Sequence, residues 1–345
     1  MRSHSCLIWF ASLLVSITFA ISAIEAEQTV TVATLNCEFL IKSKVHMKFD
    51  LPLALQASNP EHDDWFDEGF RNERFTEATQ AIAVEIARID ADLIGLCEIG
   101  NEADVAELVE AVADLGVEYE YTAVGNSTDN TTGQHVAVLS KHKFLEIKPQ
   151  IEGREGYHVE LDNDEEAEKD TGVSKGMHVI IQGITRPIHV FVAHLASERL
   201  GHEQDAQRVA QASIVRRAYL PALNRGEHVV VMGDFNSDRT KPALQRIRGY
   251  DDMWEDLIQP GGPVFNRMKS SESSADFNKR LADQWTYEFN GQREQIDHIL
   301  LSPSIEAACK RGGIAIEFID INETIADTEH EATDHRAVVV RFTIP

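Results

Sequence analysis

Basic residues are scarce in this 345-residue chain: 32 Lys and Arg stand against 57 Asp and Glu, a formal net charge of −25. That balance excludes a protein that coats nucleic acid through a broad basic surface, since such binding needs many cationic contacts. It is compatible with an enzyme that meets phosphate through a few local cations and a metal ion. The plain structural meaning of the charge is a solubilising surface. Cysteine is scarcer still, with Cys6, Cys37, Cys97 and Cys309 the whole complement. No Cys-x-x-Cys and no Cys/His pairing occurs, which argues against a thiolate zinc site. Long apolar runs are missing after the first twenty residues, and with them any later membrane span. No internal repeat, low-complexity linker or composition break divides the chain. With 43% hydrophobic residues, one domain with a sizeable core is expected.

The one long apolar run, Cys6 to Ala20, follows Arg2 and precedes the small residues Ser22, Ala23 and Ala26. That order reads as a secretory signal peptide over residues 1–26, cleaved between Ala20 and Glu27. Residues 27–345 are then an exported domain, secreted or periplasmic, with no stable membrane insertion. Removing the leader leaves three cysteines, so an all-paired disulfide framework is impossible. One bridge stays open, but Cys37 and Cys97 lie inside apolar runs and read as buried free thiols.

From Thr29 onward short apolar strands alternate with amphipathic helices. "VTVATLNCEFL" reads as the first strand, while Lys42 to Arg74 is mixed and shows no assignable period. Ala78, Ile82, Ile86 and Ile89 recur on one face and predict a helix over Thr76 to Ile89. "ADLIGLCEIG" follows as a buried strand, and Asn101 then caps a second helix striped by Val105, Leu108, Val109 and Val112. "HVAVLSK", "MHVIIQGI" and "IHVFVAHLAS" are strands ahead of a helix from Glu203 to Leu220. After "HVVVMGDFNSD" comes a loop-rich stretch, Asp251 to Gln284, then "QWTYEFN", "QIDHILLS" and a terminal "DHRAVVVRFTI". The acidic patch Asp162 to Asp170 reads as a solvated hairpin tip. Mixed α and β layers fit this order.

The strands share one oddity. Asn36 sits in "TLNCEF", Glu98 in "GLCEIG", His194 in "FVAHLAS", Asp234 and Asn236 in "GDFN", Asp297 in "QIDHIL", and Asp334 with His335 in "ATDHRAV". Each is polar or charged inside or just beyond an apolar run. One such residue alone reads as a turn cap, because Asp and Asn fold back onto nearby backbone. Burying a lone carboxylate costs several kcal/mol unless it is paired or bound to a metal, so the repetition points to a shared site.

This ordered set resembles the endonuclease/exonuclease/phosphatase superfamily, the metal-dependent phosphoesterases that include deoxyribonucleases, abasic-site endonucleases, sphingomyelinases and inositol polyphosphate phosphatases. The resemblance spans Thr29 to the end and rests on "GDFN" and a terminal "DH" placed after an early Asn and Glu. It implies an α+β fold, a four-layer αββα sandwich of two mixed sheets packed face to face, with an active site at one edge of both sheets. It also implies Glu98 as the main metal carboxylate, Asn36 as a neighbour holding metal or its water, and Asp334 completing that shell. Asp234 and Asn236 would position water and phosphate, and His335, oriented by Asp297, would be base or phosphate ligand. His194 matches a second histidine found in the deoxyribonuclease and sphingomyelinase branches. The chemistry asks for the same residue types, since phosphodiester hydrolysis needs charge neutralisation, an in-line water and a proton for the leaving oxygen. Hard oxygen ligands suit Mg²⁺ or Mn²⁺.

Other residues carry weaker signals. Glu38 shares a strand face with Asn36 and reads as a further metal ligand or a surface carboxylate. Lys175 and His135, at strand starts, read as phosphate contacts or as solvated surface. His298 should face away from Asp297 and pack structurally, and His178, His189 and His228 have no motif support. Asn126, Asn130 and Asn322 head Asn-x-Ser/Thr patterns. The expected activity is a metal-dependent nuclease acting on DNA, and on RNA as a further option, because "WTYEFNGQREQIDHILLS" resembles a stretch of bacterial extracellular nucleases. The competing substrates are a phospholipid head group or a small phosphate ester. Lys42 to Phe75, with "KFDLPLAL" and "DDWFDEGF", is the region that would supply a membrane-docking surface. A degenerate binding protein is disfavoured because no catalytic position is lost.

Overall fold

Alternation of side chains along the strands builds the architecture. In β1 (Gln28–Leu40), Val30 and Val32 join one buried cluster while Ala33, Leu35 and Cys37 join another. Both faces of this strand are therefore covered, the situation that produces near-continuous apolar runs. The computed structural model describes residues 28–49, 67–160, 166–183, 186–198, 202–250, 255–260, 273–276, 279, 283–289, 291–309, 314–319 and 332–344. The proposed leader, residues 50–66, the first part of the acidic patch (162–165) and Asn322 lie outside these residues.

Six strands form the first sheet, in the order β14 (Ile314–Ile319), β15 (Ala337–Ile344), β1, β2 (Leu93–Ile99), β4 (His135–Ser140) and β3 (Tyr121–Val124). Five form the second, in the order β13 (Asp297–Leu301), β10 (His228–Asp234), β9 (Ile188–His194), β8 (Lys175–Ile181) and β5 (Phe144–Lys148). Each sheet is mixed: β1 runs parallel to β2 but antiparallel to β15, and β10 parallel to β9 but antiparallel to β13. Two hairpins stand apart, β6 (Glu155–Glu160) with β7 (Glu166–Thr171) and β11 (Tyr287–Phe289) with β12 (Gln292–Glu294).

Between the sheets, Val30, Val32, Leu93, Val136 and Val138 meet Met177, Val190, Val192, Val230, Met232 and Ile299. Full burial of each such side chain contributes about 1.5–3 kcal/mol. Outside the first sheet lie α1 (Glu68–Ile89) and α2 (Glu102–Asp114), and outside the second lie α3 (His202–Asn224) and α4 (Pro242–Arg248). The fold is thus the αββα sandwich expected. A further short helix, α5 (Pro303–Ala308), follows β13.

Helix α1 begins eight residues before the apolar stripe alone suggests. Asp67 caps it by accepting from Phe70 N, and its polar opening turns precede the first buried contact at Phe75. Within Lys42 to Arg74, Lys42–Phe49 forms a 3-10 helix. Cys37, Cys97 and Cys309 are free and buried. No helix among the described residues is long and apolar enough to cross a membrane.

Candidate active site

Extending the inter-sheet rows by one step of two residues leads straight into a polar cluster. On β1 the row Val30, Val32, Thr34 continues to Asn36; on β9, Val190 and Val192 continue to His194; on β10, Val230 and Met232 continue to Asp234. β13 enters the same layer from the other direction, with Asp297 preceding Ile299 and Leu301. The apolar layer between the sheets therefore ends in buried polar and charged groups. The same rule brings in Lys175 ahead of Met177 and Gln134 ahead of Val136.

Glu98 breaks the alternation. The β1–β2 register shifts between Asn36 and Leu40, and the β2–β4 register between Cys97 and Ile99. At these bulges Glu38, Phe39 and Glu98 have φ of 46°, 47° and 55°, and beyond β10 Asn236 has φ of 46°. Among the described residues only one other non-glycine has positive φ, the α1 cap Asp90. Left-handed backbone costs such residues of order 1 kcal/mol or more, so its concentration here marks a site that the surrounding structure holds in place. Phe39 N donates to Glu98 Oε2 at 3.2 Å and fixes the turned carboxylate. Gly233 is required by close approach: its φ is +134°, and a Cβ would lie 2.1 Å from the Ala193 carbonyl oxygen.

Asp234 is the hub. Asn36 Nδ2 donates to its Oδ2 at 2.9 Å, and Asn236 N donates to its Oδ1 at 2.8 Å. Asn236 Nδ2 in turn donates to Leu195 O at 3.1 Å, and Asn36 Oδ1 accepts from Glu38 N at 2.9 Å. His194 Nε2 stands 3.7 Å from Glu98 Oε1 and 3.8 Å from Asp234 Oδ2. His335 Nδ1 meets Asp297 Oδ2 at 2.7 Å, with its Nε2 3.6 Å from Asp334 Oδ1. Thr286 Oγ1 accepts from the backbone of both Ile296 and Asp297 at 3.0 Å, and the Tyr287 ring lies 4.9 Å from that of His335.

Cations border this cluster without neutralising it. Lys175 Nζ donates to Gln134 Oε1 at 2.9 Å and sits 3.6 Å from Asp129. Lys48 Nζ holds Glu38 Oε2 at 2.9 Å, and the same oxygen accepts from Asp334 N at 3.1 Å. Burial pushes Glu38 up to about 7 against the pull of Lys48, with Asp334 adding to the rise. Burial, reinforced by Asp297, likewise raises Asp234 to about 7. Glu98 is raised by burial against the opposing charges of Lys175 and His335. The two histidines diverge. Burial, then Lys175 and His335, hold His194 neutral well below its ordinary value. Burial also opposes charge on His335, but Asp297 and Asp334 outweigh it and keep that imidazole protonated well above its ordinary value.

These groups fit a hard divalent cation. Ligand atoms of Glu98, His194 and Asp234 lie within 4.8 Å of one another, as do those of Asp234, Asp297 and His335. His194 Nδ1 and Asp297 Oδ1 are buried without a hydrogen-bond partner, and burial holds Glu38, Glu98 and Asp234 above the ordinary carboxylate pKa. Every site residue read from the sequence lies in this cluster: Asn36, Glu98, His194, Asp234, Asn236, Asp297, Asp334 and His335. Glu38 and Lys175 join them, Lys175 being only 9% exposed. His135 Nδ1 donates to Gly125 O at 2.8 Å, on the β4 flank. His298 does not join, for its ring nitrogens meet Gln259 and Ser237 O at 2.9 Å each. Lys48, Gln134, Thr286 and Tyr287 were missed. The row rule would have found Gln134; Lys48 reaches the site from a segment with no readable period.

A profile of the Endonuclease/Exonuclease/phosphatase family matches residues 33–335. The chain belongs to that family. No curated protein matches the sequence, but solved structures share its fold. A truncated TDP2 of Caenorhabditis elegans superposes with TM-score 0.53 at 14% identity, covering 91% of this chain and 97% of that one. A humanized Danio rerio TDP2 gives TM-score 0.54 at 13% identity, covering 91% and 98%. A beta toxin double mutant from Staphylococcus aureus, solved with bound magnesium ions, gives TM-score 0.51 at 14% identity, covering 91% and 99%. At such identities the likeness establishes the architecture of this family member, a class of phosphoester hydrolases, and leaves its substrate to the chemistry of its own site.

Proposed function

We propose that the protein is a Mg²⁺-dependent phosphodiesterase that hydrolyses DNA. The observation that carries this reading is the buried, doubly anchored Asp234, facing Glu98 and His194 on one side and the Asp297–His335 pair on the other. Glu98, whose ligand atom lies within 4.8 Å of those of His194 and Asp234, would be the main holder of the cation, with the side-chain oxygen of Asn36, Asp334 and Glu38 bordering it. When bound, it supplies positive charge at the non-bridging phosphate oxygens.

The chain's own groups supply the rest. Asp234, a carboxylate with pKa near neutrality, takes a proton from the attacking water, and its two donors aim it. Asn236 sits beside it to hold the phosphate. As the new P–O bond forms and the ester P–O bond breaks, His335 gives its Nε2 proton to the leaving oxygen. Asp297 occupies Nδ1 and so fixes which nitrogen faces the reaction. His194, kept neutral, donates one hydrogen bond to the phosphate without adding a third charge. Residues 1–26, proposed as an export signal, would place this activity outside the cytoplasm.

Purified protein incubated with supercoiled plasmid and Mg²⁺ should nick it, and excess chelator should stop the reaction. His335→Ala, prepared in parallel, should be inert. Plasmid left intact while the same preparation hydrolyses a phospholipid or a phosphomonoester would keep the site and reject DNA.

A further inference from the structure

A groove of about 510 Å³ is lined by Ser174, the neighbour in sequence of Lys175, and by segments packed around it. Thr128, Gln150 and Ser174 border it, Gln207 and Gln211 of α3 face it, and Gly153 contributes bare peptide. Two connections tie the groove to the reacting groups. Ser174 immediately precedes Lys175, whose register partner across β8 and β9 is His194, and the Ser174 carbonyl accepts from Thr128 N at 3.0 Å. Gln211 makes the second connection. Its Oε1 accepts from Ala196 N, two residues past His194, at 2.9 Å, while its Nε2 donates to Gly172 O at 3.2 Å. Arg208, three residues earlier on α3 and 1% exposed, donates to Ala196 O at 3.1 Å. One turn of one helix thus grips the segment after His194 from both sides of a peptide and also forms a groove wall.

The lining identifies the ligand class. Amides, hydroxyls and peptide groups dominate, and the charged side chains are Arg154, ion-paired with Asp170, and Glu152. A second phosphate would need unpaired cations there. An acyl chain would need an apolar strip, but Ile151 and Val173 lie beneath the surface at 3% and 1% exposure. The volume falls within the range of about 300–1,000 Å³ typical of small-molecule sites. An uncharged group with several donors and acceptors fits.

We propose that this groove receives the nucleoside flanking the scissile phosphate, its sugar and base edge hydrogen-bonding to Thr128, Gln150, Ser174 and Gln207. The assignment rests on the phosphodiesterase reading and adds where the uncharged part of that substrate sits. Gln207 already donates to Thr171 Oγ1 at 3.2 Å, so its amide is held at the wall before a ligand arrives.

The test compares a thymidine dinucleotide with bis(4-nitrophenyl) phosphate, a diester without a nucleoside. In the double variant Gln150→Leu and Gln207→Leu, loss of two hydrogen bonds should raise KM for the dinucleotide about tenfold. Hydrolysis of the nitrophenyl diester should stay within about twofold of wild type. Equal loss on both substrates, or no change on the dinucleotide, overturns the assignment. Binding is read separately by titrating thymidine into wild-type protein and following the backbone amide signals of Thr128, Gly153 and Ser174 by NMR. Shifts that vanish in the double variant support the groove even if no nucleic acid is cleaved, which would sink the activity alone. Unmoved signals in a protein that does cleave the dinucleotide reject the groove and keep the activity.

Discussion

Strands β9 and β10 carry buried polar side chains at both ends, and the two ends are built differently. At the end that carries the proposed active site, the catalytic end of that proposal, are His194 and Asp234, 3% and 2% exposed; at the far end are His189 and His228, 6% and 4% exposed. Burial does not tell them apart. Satisfaction does. His189 Nδ1 meets His178 Nε2 at 3.1 Å and its Nε2 meets Glu227 at 2.9 Å, while His228 Nδ1 meets Ser304 Oγ at 3.0 Å. The His178 ring also lies flat on Phe191, 4.0 Å between centroids. At the catalytic end His194 Nδ1 and Asp297 Oδ1 lack partners, and Glu38, Glu98 and Asn236 bend through left-handed backbone. A buried polar residue thus becomes a functional candidate when its remaining valence and its backbone strain await something else.

The contrast breaks most directly at Asp234. Asp234→Asn keeps the shape and removes the proton acceptor, so plasmid nicking should fall by about 10³-fold or more, with the melting temperature unchanged or higher. A fully active variant would remove Asp234 from the mechanism. Gly233→Ala tests the strained backbone beside it. A methyl 2.1 Å from Ala193 O at φ +134° should cost about 3 kcal/mol or more in urea unfolding, far beyond an ordinary surface change. Loss of under 1 kcal/mol would mean that the close approach is readily relieved.

Titration sharpens the contrast because the carboxylates around Asp234 respond with the sign opposite to the far-end histidines, His194 alone sharing the histidines' sign. Asp234 and Glu38 have native pKa values of about 7 against roughly 4 in an unfolded chain. The native state holds their extra protons across that window, so their contribution to stability falls as pH rises from about 4 to 7. His335, held protonated above its ordinary value, loses its contribution as pH rises further. A divalent cation bound as proposed would replace those protons, so the gain in melting temperature on adding Mg²⁺ should be small at pH 5 and largest above pH 7. An equal gain at both values would contradict a carboxylate metal bed. Burial, aided by His189, pushes His178 down to about 3, so the far end instead loses stability as pH falls from about 6.5 toward 3. His178→Phe should flatten that acid limb in thermal melts, and a limb as steep as wild type would place the acid sensitivity elsewhere.

Much of this was legible in the sequence for one reason. Strand alternation carries an inter-sheet row outward, so Asn36, His194, Asp234 and Asp297 announced themselves as polar residues where an apolar one was due. The same rule would have promoted Lys175 and revealed Gln134. Glu98 was found by its place in an apolar run, although the bulge that turns it depends on a φ that no side-chain pattern encodes. Tyr287 reaches His335 through a hairpin of three-residue strands, too short for a period. The Arg208 and Gln211 grip on Ala196 lies on a helix with almost no segregation of polar and apolar faces, so nothing in its pattern marks a polar contact made inward. The far-end histidines had no motif, and partners such as Glu227 and Ser304 come from separate connections.

The smallest effect should come from His228→Asn, and its smallness is informative. The shorter amide keeps a polar atom near Nδ1 and can still meet Ser304 Oγ, so the loss is mainly packing and one imperfect hydrogen bond, about 1 kcal/mol. Nicking should stay within about twofold, because β10 separates residue 228 from Asp234 by five residues of fully buried strand, and burial pattern and register are unbroken along it. If activity instead fell tenfold while urea unfolding changed by only 1 kcal/mol, the far end would be transmitting position to the catalytic end through the strand. Satisfaction of its hydrogen bonds would then be a requirement of catalysis, and the division between the two ends would no longer hold.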